Sequence, residues 1–449
     1  MKTQSIKQLY TLILTLLVSV TAFGQSQKVS GINEFLTTLD KHNKFMGVVA
    51  IYENGEQQYI KASGYADVQN GKKLNTDTRF RIGSISKMFT AVLTFQTIEK
   101  GLLSLDTPLS DYYPEISNSE KITISDMLEH RSGIPNFTNT GEYIAKMESG
   151  LSESEVLKII KSMKVEIQPK TQTSYSNSNY YLLSKILEKT TQKTFDQLLT
   201  QGITAPLKLK NTFYGSEIDP TKNEAYSYKF SVSNNKWAKA SETNMGIPLG
   251  AGAIVSNTAD LSAFINALFT GKLISDKSLE QMKEIKDGLG KGMMVFPFYS
   301  QMAFGHNGSI DGFESSLAYF PDSKTTVVML ANALSDYSFN NIALGVLSNW
   351  FGKPFDAPNF SEKPVKRTAE ELKAFSGTYS NSQIQMNIKV WEENGSLMAQ
   401  ADGQSAFNLD SYENDTFKFI PAGITMKFDL DQKRFTLLQG GGEFVFVKK

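Results

Sequence analysis

The chain has 449 residues, 40% of them hydrophobic and 20% charged, which suits two or three globular domains and excludes a disordered or fibrous protein. Its 46 basic and 46 acidic residues balance, so it carries no charge excess suited to nucleic acid or an anionic membrane surface. With no cysteine and three widely spaced histidines, His42, His130 and His306, disulfide and thiolate chemistry are excluded and no metal site is expected.

In chain order, the first expected element is a targeting segment. Lys2 and Lys7 form a positive start, Leu12 to Val20 an apolar run too short to span a bilayer comfortably, and Ala22 and Gly24 a small-residue site for cleavage after Gly24. The alternative is an uncleaved N-terminal anchor. Either way the body of the chain is expected to be exported, to periplasm or medium, and without cysteine it has no lipoprotein anchor at the cleavage site. Residues 25–352 are expected to form one domain. It opens with two β-rich runs around Asn54-Gly55, a strong hairpin signal. "RIGSISKMF" then predicts a helix running to Glu99 and stopped by Gly101. Ile85, Met88, Phe89, Val92, Leu93, Phe95 and Ile98 wrap most of that helix, as in a buried one. Its polar residues Lys87, Thr90, Thr94 and Thr97 share a stripe with Ser84.

From Leu102 to Gln201 the pattern is helical, and a further helix follows with Asn257 or Thr258 as its cap. Strand signals return at "FGHNGSIDGFESSLAYFP" and "TTVVMLAN". Strands at both ends with helices between predict an α/β (α+β) domain whose sheet gathers its N- and C-terminal segments. Residues 353–369, with three prolines between Phe351 and Arg367, read as a linker. Residues 370–449 then alternate with period two, through Ile384, Met386, Ile388 and Val390 and again through Ile424, Met426, Phe428 and Leu430. They predict a small antiparallel β-barrel domain, closed or nearly so.

Ser84 and Lys87 stand three apart, so a helix puts them on one face. Such a pair is commonly an N-cap beside a solvated cation, and a second S-x-x-K, Ser233 to Lys236, lies in a polar run. The apolar surround of Lys87 favours another reading. A serine hydroxyl needs a base to become a nucleophile, and burial lowers an amine's pKa until it can be that base. Acyl transfer also needs a proton shuttle and oxyanion donors. Tyr175 and Asn177 in "TSYSNSNYYLL", and His306 and Gly308 in "FGHNGSIDGF", are the candidates. Tyr-x-Asn recurs at Tyr52, Tyr379 and Tyr412, so the pattern alone is weak.

The order S-x-x-K, Y-S-N, H-N-G resembles the serine β-lactamase-like family of class C β-lactamases and D-alanyl-D-alanine carboxypeptidases, over about residues 30–350. "FRIGSISKMFTA", "LEHRSGIPNF", "YSNSNYYLLSKILEKTT" and "GAGAIVSNTADLSAF" are similar to it too, and "FSGTYS" with its strands resembles the small lipocalin-like barrels that some members carry. The resemblance implies an antiparallel sheet flanked by helices, an all-helical lobe and a following barrel. It implies an acyl-enzyme on Ser84, activated by Lys87 alone or shared with Tyr175, and a proton passed to the leaving group by Tyr175. It implies substrate contacts from Asn177, His306 and Gly308, with backbone N–H groups of Ser84 and Ser309 holding the oxyanion. His130 is expected to be structural. No cofactor, metal or nucleic acid is implied, and no membrane contact after signal cleavage. The substrate would be a small amide, D-amino-acid peptide or ester; the alternatives are a carboxylesterase or weak β-lactamase, or a non-catalytic binder or sensor using the barrel. Histidine at 306, where many relatives have lysine, weakens the case for β-lactam hydrolysis. It suggests that acid, by protonating His306, tightens binding of carboxylates.

Overall fold

A computed structural model describes residues 27–231, 234, 236–355, 357–439 and 442–449. The expected targeting segment, residues 1–24, lies outside them, as does Ser233. The chain packs as two compact units, residues 46–333 and the residues up to 45 together with 334–449. Among the described residues no helix is long and apolar enough to cross a membrane.

The 46–333 unit is built on a mixed architecture of sheet and helices. Strands β1 (Phe45–Glu53) and β2 (Glu56–Ser63) meet at Asn54 and Gly55, both at positive φ (+51° and +84°). That turn has the twist a two-residue hairpin needs. Strands β3 (Tyr228–Ser231) and β4 (Lys236–Lys239) form a second hairpin, and β5 (Met294–Phe298), β6 (Gln301–Ile310), β7 (Phe313–Phe320) and β8 (Thr325–Leu334) a meander. The sheet order is β5-β6-β7-β8-β1-β2, with β3 on β8. Central strands β1 and β8 are buried along nearly their whole length, which explains their continuous apolar runs. The helix Ser86–Glu99 has eleven buried residues and ends at Lys100 and Gly101, the latter at φ +72°. Its threonines bond to backbone: Thr90 Oγ1 to Gly250 O at 2.7 Å, and Thr94 and Thr97 Oγ1 to carbonyls one turn back at 2.8 Å. A polar stripe inside a buried helix is thereby satisfied. The helix Asn177–Thr191 packs beside it, and its Leu182, Leu183 and Ile186 lie in the same buried core.

In the other unit, helices over residues 27–41 and Phe339–Phe351 approach closely. A side chain at Gly31 would lie 2.2 Å from Asn349 Oδ1, and one at Gly345 2.4 Å from the Phe35 ring. The expected linker makes contacts at several points. Phe355 meets Phe35 edge-on at 5.1 Å, Phe360 meets Tyr337 at 5.2 Å, and Val365 N–H donates to Ser411 O at 2.8 Å. The last eighty residues close an eight-stranded antiparallel barrel, Gly377–Asn381 through Gly442–Lys448, sealed where Tyr379 faces Lys448. Its interior is filled. Phe375, Tyr379, Phe417, Phe428 and Phe435 form a ring cluster with centroids 4.7–5.7 Å apart. The period-two pattern reads correctly at Ile388, Val390, Ile424, Met426 and Phe428, which point inward. Ile384 and Leu430, expected to continue it, fall beyond the strand ends and are exposed.

Candidate active site

The turn before the Ser86–Glu99 helix sets the geometry. Phe80 and Arg81 form a two-residue strand opposite Ser256 and Val255, and Ile82 N–H donates to Ile254 O at 3.0 Å. Gly83 then takes φ +50°, a conformation that costs glycine little. A Cβ there would also lie 2.9 Å from the backbone N of Ser309. A single 3₁₀ turn, Gly83–Ile85, carries Ser84, and the α-helix begins at Ser86. Ser84 therefore stands just outside the helix proper, where its N–H has no intrahelical acceptor.

Lys87 is fully buried. Its Nζ lies 2.8 Å from each of Ser84 Oγ, Asn177 Oδ1 and Ala251 O. Burial pushes the amine well below the ordinary lysine range. The partners suit a neutral amine. Two N–H groups donate to the two carbonyl oxygens, and the lone pair is left to accept the Ser84 O–H. The faces of Tyr175 and Tyr180 lie 4.9 and 5.7 Å from Nζ, so an ammonium formed there would meet two ring quadrupoles.

Tyr175 and Asn177 are presented by a loop that His130 grips on both sides. His130 O accepts Ser174 N–H at 2.8 Å and His130 Nδ1 accepts Ser176 N–H at 3.1 Å. The imidazole stacks on the Tyr175 ring at 4.3 Å, 27° from parallel. Burial, with Lys87 and His306 adding, holds His130 well below the usual histidine range, so Nδ1 remains an acceptor. The Tyr175 phenol is hydrogen-bonded to Ser84, and burial raises its pKa, so it stays protonated. Asn177 opens its helix. Its N–H donates to Asn136 Oδ1 and its Nδ2 to Thr138 Oγ1, both at 3.0 Å, which turns Oδ1 toward Lys87.

The third wall is strand β6. A side chain at Gly308 would lie 2.0 Å from Ile82 O, so the strand can approach the Ser84 turn only with glycine there. Ser315, across on β7, donates to Ile82 O at 2.8 Å. Gly83 thereby lies against the Ser309 backbone, next to the Ser84 turn. Ser309 Oγ donates to Glu314 Oε1 at 2.9 Å.

His306 enters the site from β6, with its ring 6.3 Å from that of Tyr175. It is buried, and burial followed by the nearby Lys87 pushes its pKa down to about 3. Its Nδ1–H is spent on the Asn307 carbonyl. A neutral imidazole corrects the expectation of acid-tightened binding, because nothing on His306 titrates between neutral pH and mild acid. KM for a carboxylate-bearing substrate is accordingly expected to stay flat from about pH 5.5 to 8; steady-state kinetics across that range tests it, and a KM that drops on acidification would contradict it.

The seven residues singled out from the sequence, Ser84, Lys87, Tyr175, Asn177, His306, Gly308 and Ser309, thus converge on one site. Sequence reading did not find the Ala251 carbonyl, the Asn136 and Thr138 side chains that orient Asn177, or Ser315. Each lies in or beside a segment already marked ("GAGAIVSNTADLSAF", "LEHRSGIPNF", "GHNGSIDGF"), but nothing in residue type points to its role.

The family model described as Beta-lactamase matches residues 32–357. The chain is 25% identical over 437 residues to penicillin-binding protein 4* of Bacillus subtilis, covering 90% of this chain and 95% of that protein. It is 26% identical over 296 residues to the teichoic acid D-alanine hydrolase of Staphylococcus aureus, covering 65% and 71%. Among solved structures, the D-amino acid amidase of Ochrobactrum anthropi SV3 superposes with a TM-score of 0.64 at 25% identity, covering 73% of this chain and 99% of the amidase.

Proposed function

The chain belongs to the β-lactamase family, and on that premise we propose that it is an exported serine hydrolase, forming an acyl-enzyme on Ser84 and cleaving an amide, ester or peptide of a D-amino acid. The observation that carries this reading is the fully buried Lys87 amine, its Nζ 2.8 Å from each of Ser84 Oγ, Asn177 Oδ1 and Ala251 O.

Lys87 takes the Ser84 proton as Oγ attacks the substrate carbonyl carbon. The ammonium that forms has three N–H groups for three oxygens, Asn177 Oδ1, Ala251 O and Ser84 Oγ. The carbonyl oxygen becomes an oxyanion between the Ser84 and Ser309 amides; one such donor is typically worth about 10²–10³ in rate. Tyr175, a neutral phenol bonded to Ser84, gives its proton to the leaving nitrogen or oxygen and regains one from Lys87. Water then attacks the acyl carbon and gives a proton to Lys87; the acyl–Oγ bond breaks, Ser84 Oγ takes that proton back, and the acid is released. Asn177 Nδ2 and the neutral His306 imidazole flank the acyl group.

The substrate class rests on two supports. The named relatives include a D-alanine hydrolase and a D-amino acid amidase, and a neutral His306 offers no cation for the carboxylate of a β-lactam. Export rests on the start of the sequence, from Lys2 to Gly24.

Labelling by a fluorophosphonate, read by intact mass and peptide mapping, tests the mechanism. Wild type is expected to gain one adduct on the peptide holding Ser84, and Ser84→Ala none. A panel of D-aminoacyl amides and esters, D-amino-acid peptides and a chromogenic cephalosporin is expected to show turnover of the first groups above the last. A wild type that takes no label and turns over none of the panel would point instead to a non-catalytic binder.

A further inference from the structure

We propose that the ion pair between Arg81 and Asp311 is a clamp that holds the Ser84 and Ser309 amides at the separation an oxyanion needs, making both members positioning residues for the reaction. The proposal rests on the acyl-enzyme reading above. Arg81 lies three residues before Ser84, and Asp311 two after Ser309. Their side chains are 2% and 0% exposed and meet at 2.8 Å, Arg81 Nη1 to Asp311 Oδ2.

The pair is tied in beyond that one bond. Arg81 Nη1 donates to Thr243 O and Nη2 to Ser216 O, both at 2.9 Å, and Nη2 lies 3.5 Å from Glu242 Oε2. Asp311 Oδ1 accepts Thr243 N–H at 2.9 Å and Thr243 Oγ1–H at 2.6 Å. Asp311 is held at φ +58° while making these bonds. Between the ends of this tie, residues 82–83 face residues 308–309 through glycine alone. Gly308 sits against Ile82 O and Gly83 against the Ser309 backbone. Among the described residues, the side-chain link there is Ser315 Oγ, 2.8 Å from Ile82 O and 3.3 Å from Gly308 O.

Each glycine lies against the backbone of the facing segment, Gly308 against Ile82 and Gly83 against Ser309, with no side chain of its own to fix that distance. The spacing of the two backbones then depends on Ser315 and on what flanks them, and the flanking element is a planar guanidinium that holds Asp311 through Nη1 and the Thr243 and Ser216 carbonyls through Nη1 and Nη2. Buried ion pairs add little net stability over apolar packing, but their bonds are directional. Direction matters here, since oxyanion donors must sit about 2.7–3.1 Å from the developing charge, and a displacement of about 1 Å can cost roughly 10²-fold.

Asp311→Asn is the first test. It keeps Oδ1 for Thr243 and tolerates the left-handed backbone, but puts an amide N–H where Oδ2 faced the guanidinium. Expected are a kcat lower by roughly 10²-fold, a KM within about threefold of wild type, and a Ki for a boronic acid that forms a tetrahedral adduct on Ser84 raised by about the same factor as kcat fell. A variant that had merely lost stability would lower Tm without moving the boronate Ki. Where Asp311→Asn does not fold, Arg81→Lys carries the same test, because a point charge cannot reach Asp311, Thr243 O and Ser216 O together. A folded variant whose kcat and boronate Ki both stay within about threefold of wild type overturns the clamp. The acyl-enzyme reading fails separately, when wild type itself neither takes a fluorophosphonate nor binds the boronate.

Discussion

Replacing Lys87 by methionine is expected to lower kcat/KM by roughly 10⁴-fold while leaving Tm at neutral pH no lower than in wild type. The first half follows from geometry. The Lys87 amine is 2.8 Å from Ser84 Oγ, and the neighbouring alternative, Tyr175, has a phenol whose pKa is raised by burial, so it is the wrong way shifted to act as a base. In the proposed mechanism Lys87 is accordingly the base and Tyr175 the proton carrier. The second half follows from linkage. An unfolded lysine holds its proton near neutral pH, whereas burial drives the folded Lys87 toward the neutral form. The unfolded state then binds more protons, and stability at neutral pH is lower than it would be at high pH. Methionine has no proton to shed and fills a similar volume. Asn177 and Ala251 each lose a donor, which offsets part of that gain. The measurement is kcat/KM on an activated D-aminoacyl ester beside a thermal melt. A variant within about tenfold of wild type in rate would remove Lys87 from the proposed chemistry.

Mild acid is expected to destabilise this protein through its two buried histidines, His306 and His130. In an unfolded chain histidine titrates near 6.5, while folded His306 is held down to about 3 by burial and by Lys87. Below about pH 6.5 the unfolded chain gains a proton that the folded chain refuses, so stability falls as pH falls, until about pH 3. The slope is about 1.4 kcal/mol per pH unit, or about 2 kcal/mol between pH 6.5 and 5. His130, buried and likewise held low, adds in the same direction. Set against a typical total of about 5–15 kcal/mol, that loss is large. Urea denaturation of wild type and His306→Gln at about pH 7, 6 and 5 isolates the contribution. The variant is expected to lose about 1.4 kcal/mol per unit less than wild type; equal slopes would show that folded His306 takes up its proton after all.

These expectations draw on different levels of the molecule. Ser84 and Lys87 are legible from sequence because their spacing maps to one helix face and because the helix around them is apolar on nearly every side. The Asn54-Gly55 turn is legible because both residues sit at positive φ, which few residues tolerate. The linker's contacts were not legible: prolines and polar residues suggest a tether, and only pairings distant in sequence, such as Phe355 with Phe35, reveal where it touches the rest of its unit. Nor was the neutrality of His306 legible, since the same residue on a surface would carry charge in mild acid.

Sequence by itself determined which groups could react: a serine beside an amine, a phenol, an amide and a strand opened by glycine. Those are properties of residue type and short-range spacing, and they survive without knowledge of the fold. Tertiary structure alone decided their protonation, the carbonyl of Ala251 that shares Lys87, and the closeness of Gly83 to Ser309. Such features depend on exclusion of water and on backbone atoms, and neither leaves a mark in the identity of a residue.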